Sequence, residues 1–226
     1  MLTTAMRLWL RWVIANALGE MIGLGLTLVS MHASFVWLGE GQVTAAILTS
    51  TLLMVATGAM EGTILGLAQW SAMRWHFPTI RRCSWLLATL IGALVAWSFG
   101  SLPSTLMSLN AEASQASSPA QEPETWLMLL LAAGMGAVLG LVLSFFQWLV
   151  LRHTAPQAWT WLPANSLAWL VGMPIVFWGI GLIQEGMQPL PAVVTLAACL
   201  LVTGAVVGAI HGAFLVRLYR LQGGLQ

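Results

Sequence analysis

The chain has 226 residues, of which 59% are hydrophobic and only 7% charged. Water-soluble domains carry about a quarter charged residues, so this composition excludes a soluble fold and points to an integral membrane protein. All eight basic residues are Arg and all seven acidic ones Glu; without Lys there is no phosphate-binding loop or Schiff base, and without Asp no kinase-type site or aspartate dyad.

A hydrocarbon core about 30 Å thick takes roughly 20 apolar helical residues per crossing. Six runs meet that length: 9–31, 44–70, 85–101, 126–150, 161–183 and 192–216. They are too long for barrel strands, and open sheet edges do not persist in lipid, so the expected fold is all-α with six transmembrane helices. Arg7 precedes the first run and Arg11 lies at its start; the run is longer than a signal-peptide core and contains Glu20, and is therefore read as a retained helix. Arg74, Arg81 and Arg82 separate the second and third runs, Arg152 opens the link from the fourth to the fifth, and Arg217 and Arg220 follow the sixth. All eight arginines thus fall on one face, while the opposite loops carry Glu40, Glu112, Glu122, Glu124 and Glu185. The positive-inside bias makes the basic face, with both termini, cytoplasmic, as expected in a bacterial-type inner membrane. Residues 102–125, rich in Ser, Ala, Pro and Glu, are expected to form a mobile outer loop too short to be a domain. Cys83 and Cys199 fall at separate levels, so neither a disulfide nor a metal site is expected.

The single membrane domain reads as one helical hairpin written three times, over about 8–75, 84–153 and 160–220. Odd helices begin Trp12-Val-Ile-Ala15-Asn16, Trp85-Leu-Leu-Ala88-Thr89 and Trp161-Leu-Pro-Ala164-Asn165. Even helices carry Gly58, Gly62, Gly66, Gln69, Trp70 and Arg74 in one, and Gly136, Gly140, Ser144, Gln147, Trp148 and Arg152 in the next. The last keeps Gly204 and Gly208, has His211 where the Gln falls, and places Arg217 one residue late. Small residues spaced by four form a stripe that lets helices approach closely in lipid; helix packing is the reading preferred over a ligand groove. Trp9, Trp12, Trp70, Trp75, Trp85, Trp148, Trp159 and Trp161 near the basic face, with Trp37 and Trp126 opposite, suggest an aromatic belt.

The Gln-Trp-x-x-x-Arg endings and Trp-x-x-Ala-Asn beginnings resemble those of small multi-pass bacterial membrane proteins with repeated Gly-Leu-x-Gln-Trp-x-x-Leu-Arg segments. The resemblance implies the repeated-hairpin architecture and supplies no active site.

Polar residues inside the spans are the functional candidates. Glu20 lies eight residues inward of Trp12 and Glu61 eight inward of Gln69, which at 1.5 Å per residue puts both about 12 Å from the basic face, near mid-membrane. Carboxylates at that depth are costly and mark ion or substrate sites, interhelical hydrogen bonds or subunit contacts. A second polar layer nearer the basic face comprises Asn16, Thr89 and Asn165 with Gln69, Gln147 and His211, read first as hydrogen-bond glue. The four histidines have neither an i, i+4 spacing nor a cross-helix match, which argues against a bis-histidine haem, and no cofactor is assigned. Hydrolase, metalloprotease and Cys-x-x-Cys motifs are missing, so an enzyme is not expected. The arginines serve topology rather than nucleic-acid binding. Partners are the lipid bilayer and either a homo-oligomer or a larger membrane complex. Two functions follow: a small transporter or ion-handling protein using Glu20 and Glu61, or a non-catalytic accessory or assembly subunit.

Overall fold

A helix satisfies its backbone N–H and C=O groups within itself, as a chain crossing lipid requires. The computed structural model describes residues 3–38, 44–114, 124–184 and 186–223. It contains six helices long and apolar enough to cross a membrane: α1 Thr4–Leu38, α2 Thr44–Met73, α3 Arg82–Ser114, α4 Thr125–Leu151, α5 Trp161–Gly181 and α6 Pro189–Gly223. The chain is therefore a multi-pass membrane protein in contact with the bilayer.

Each helix packs on its neighbours in chain order, and α6 returns to α1, closing a ring of six. Neighbours are antiparallel: Gly19 and Gly23 of α1 meet Leu65 and Glu61 of α2, and Gly204 and Gly212 of α6 meet Ala17 and Trp12 of α1. The α2–α3 turn, the α4–α5 turn and the end of α6 consequently share one end of the ring, here the basic end. There His76 sits edge-on against Tyr219 at 5.1 Å, Arg217 donates to Gln157 Oε1 at 3.1 Å, and the Gln222 amide donates to the Thr154 carbonyl.

The glycine stripes face neighbouring helices. Gly58, Gly62 and Gly66 lie against α3, Gly136 and Gly140 against α5, and Gly204 and Gly208 against α1. A Cβ at Gly136 would stand 2.2 Å from the Trp169 carbonyl oxygen, and one at Gly140 would stand 2.6 Å from that of Asn165. Only a residue without a side chain lets α4 approach α5 this closely.

Five of the six helices run past the expected spans, α3 most of all, while α5 ends at Gly181, short of the expected 183. Residues 102–114, expected within a mobile loop, continue the helix through Pro103. Proline removes one backbone donor, and serine hydroxyls occupy nearby carbonyls: Ser101 Oγ donates to Ser98 O and Ser104 Oγ to Ser101 O, each at 3.0 Å. A 2.9 Å hydrogen bond between the Thr105 and Thr51 hydroxyls ties the extension to α2. Residues 115–123 of that loop, with Glu122, lie outside the described residues, as do Glu40, Glu185 and the side chains of Trp37 and Glu112.

Replacing Gly136 by Val is expected to lower stability by about 1–3 kcal/mol, because backbone rather than a flexible side chain must yield. Gly134→Ala, where an added Cβ meets nothing within 4 Å, should be neutral or slightly stabilising. Thermal unfolding of the two variants in detergent checks the contrast.

Candidate functional site

The ring interior is arranged in tiers. At the basic end Leu8, Met73, Phe77, Leu151 and Leu215 form a buried apolar plug. Above them Trp12, Trp85 and Trp161 meet edge to face, with ring centroids 6.4, 5.8 and 6.3 Å apart. All three are wholly buried, which corrects their assignment to an interfacial belt. Exposed indoles do occur at this end, at Trp75 (69%) and Trp159 (61%).

A buried indole N–H needs an acceptor, and the even helices supply one to each. Trp12 Nε1 donates to His211 Nδ1 at 2.7 Å, Trp85 Nε1 to Gln69 Oε1 at 3.3 Å, and Trp161 Nε1 to Gln147 Oε1 at 3.0 Å. Accepting at Nδ1 assigns the imidazole proton to Nε2. One turn further in, Asn16, Thr89 and Asn165 each donate to the carbonyl of the tryptophan four residues earlier, at 2.8, 3.0 and 3.0 Å. The layers are cross-linked: Gln69 Nε2 donates to Asn16 Oδ1 at 2.9 Å, and Gln147 Nε2 to Thr89 Oγ1 at 3.0 Å and Gln69 Oε1 at 3.1 Å. Among the described residues no hydrogen bond joins His211 to Asn165. The polar layer thus brings together Asn16, Gln69, Thr89 and Gln147, while Asn165 bonds to Trp161 and His211 to Trp12.

The third tier is different in kind. Glu20 is fully buried and neither carboxyl oxygen has a hydrogen-bond partner. Gly23, one turn beyond it, is packed so closely on α2 that a Cβ would lie 3.1 Å from the Glu61 Cα, and the two carboxyl groups interact electrostatically. Glu61 is buried as well, with Oε2 accepting the Trp97 indole N–H at 2.8 Å. Trp97 was missed by sequence reasoning, although it continues the four-residue ladder Trp85, Thr89, Ala93 on α3. Thr27 was missed too; its hydroxyl donates to Gly23 O and Thr57 O, each at 3.0 Å, and fastens α1 to α2.

A cavity of about 290 Å³ lies among α1 to α5, its lining running from Leu65 and Leu143 out to Leu28 and Ile180, with Glu61 and Trp97 on its wall among Leu, Met and aromatic side chains. The arrangement can hold a proton or cation at the carboxyl groups, with an apolar chamber on one side and a hydrogen-bonded tryptophan layer on the other. No family model, curated protein or solved structure matches the chain.

Gln147→Met keeps the shape but removes its hydrogen bonds to Trp161, Thr89 and Gln69, so at about 0.6 kcal/mol each in lipid it should cost about 2 kcal/mol. A lower unfolding midpoint with a shifted tryptophan emission is the expected readout; an unchanged midpoint would show the network to be dispensable. At the basic end, burial against Tyr219 and then the Arg11 charge lower the proton affinity of His76, whose Nδ1 has no partner. Folding therefore favours the neutral imidazole, so stability is full above the ordinary value of 6.5 and declines as pH falls below it. Melting curves across that range should show the decline in the parent protein and a smaller one in His76→Gln.

Proposed function

We propose that the protein is a small carrier or ion-handling protein of a bacterial-type inner membrane, working through Glu20 and Glu61. The observation that carries this reading is Glu20: a carboxyl group wholly buried in a membrane span, with both oxygens unpartnered, beside a second carboxyl group. An unpaired charge is very expensive to hold in a dry interior, so the group carries either a proton or a cation. Alternating between those two occupants is the elementary act of an exchanger.

The neighbouring tiers support a gated route. The cavity has Glu61 on its wall and extends outward to Leu28 and Ile180, whereas the tryptophan layer and the plug beneath it fill the ring towards the basic end. Passage across the whole membrane requires that layer to open. Its hydrogen bonds between neutral groups are individually modest in lipid, averaging about 0.6 kcal/mol, which suits a layer that separates and reforms.

The same reading holds that the ring is three related hairpins, with both termini cytoplasmic. The repeat is supported by one contact pattern made three times, in which a buried Trp on an odd helix bonds a Gln or His on the even helix of the preceding hairpin. Orientation is supported by the eight arginines at the basic end. The chemistry invoked is binding and exchange rather than covalent catalysis.

The test is reconstitution of the purified full-length chain into liposomes carrying an internal pH dye. Cation gradients should drive protein-dependent proton movement, and Glu20→Gln or Glu61→Gln should abolish it with the fold retained. Absence of flux from the parent protein, together with a stoichiometric protein partner in gentle purification, would favour an accessory subunit instead.

A further inference from the structure

The cavity says more about its occupant than the carboxyl groups do alone. Its wall is almost wholly apolar, contributed by Leu24, Met135, Leu139, Met173 and Phe177, with the indoles of Trp97 and Trp169. Glu61 is the one ionisable residue on that wall among the described residues. An inorganic cation surrenders its hydration shell only to several oxygen ligands, and this chamber does not offer them. An organic cation brings its own apolar shell, which suits leucine, methionine and aromatic walls. It needs only one anionic counter-group, and an electron-rich indole face adds attraction.

The carboxyl groups are disposed for that role. Glu61 lines the chamber with Oε2 accepting the Trp97 N–H, and among the described residues no hydrogen bond falls on its other oxygen. Behind it stands Glu20, buried with both oxygens unpartnered. The volume, about 290 Å³, sits at the small end of ligand pockets, which run from about 300 Å³ upward, so the occupant is compact.

We propose that this chamber binds a compact lipophilic organic cation, an apolar or aromatic body bearing one ammonium charge, with the charge placed at Glu61. The inference rests on the ion-handling reading of the same carboxyl groups and names its substrate class. As a cation enters, the Glu20–Glu61 pair gives up one proton, so net charge in the site is conserved.

The experiment measures binding of radiolabelled benzyltrimethylammonium to the full-length protein in lipid nanodiscs. Saturable binding is expected, displaced by unlabelled cation and far more weakly by neopentylbenzene, its uncharged carbon isostere. Glu61→Gln should weaken binding by more than about tenfold, as removal of a desolvated counter-charge does. Ala96→Phe, which fills the chamber and leaves both carboxyl groups in place, should block it independently of how well the Glu61 variant folds. Equal competition by the isostere would make the chamber a plain apolar void open to lipid chains, and would overturn the proposal. Undiminished binding in either folded variant would overturn it as well. The two readings fail separately: proton movement without cation binding removes only this inference, whereas cation binding without proton movement removes the carrier and leaves the site.

Discussion

Inside a bilayer two helices gain little by burying apolar surface against each other, because lipid tails are as apolar as leucine. Whatever holds this ring closed must therefore come from close contact and from polar groups that lipid cannot satisfy. Both devices are used along the same seams. The stripe of Gly136 and Gly140 lets α4 rest on the backbone of α5, and at the basic end of that seam Trp161 donates to Gln147. The seam of α6 on α1 repeats the combination with Gly204, Gly208 and the Trp12–His211 bond. A glycine stripe sets the distance between helices, and the buried indole sets their register, because its N–H finds an acceptor at only one height.

That economy makes the exceptions informative. Near the basic end nearly every buried polar side chain within the ring has a partner, down to Gln147 bridging Thr89, Gln69 and Trp161. Further in, the rule lapses at Glu20, whose carboxyl oxygens have no partner. Glu61 sits beside it with one oxygen tied to Trp97. A fold that satisfies its polar groups so thoroughly, yet keeps an unpartnered carboxyl group at its centre beside a cavity, concentrates its unmet chemistry in one spot. The functional reading grows from that contrast rather than from any motif.

Much of this architecture could be read from the chain because depth in a membrane is close to linear in sequence. Counting eight residues inward from Trp12 and from Gln69 put Glu20 and Glu61 at one level, and the structure brings them together. Direction around a helix is another matter. In a soluble helix the apolar side faces the core, but here both sides are apolar, so composition does not distinguish Trp12, which is buried, from Trp159, which is exposed. Tryptophans near a span end accordingly suggest a belt, although three of them form the centre of the ring. The end of α3 was misjudged for a related reason: Ser, Asn and Pro103 signal a loop in water, but Thr105 has a partner in Thr51, and the helix persists. Trp97 escaped notice because its role depends on which α2 residue faces it.

The central claim is that the Glu20–Glu61 pair holds a proton that a cation displaces. Infrared difference spectroscopy of the reconstituted protein addresses it most directly, because a protonated carboxyl group and a carboxylate absorb in separate regions. Adding benzyltrimethylammonium should bleach a protonated-carboxyl band and raise a carboxylate band, with both changes absent in the Glu20→Gln, Glu61→Gln double variant. A spectrum in which cation addition leaves the carboxyl region unchanged, or in which the double variant responds like the parent, would contradict the account.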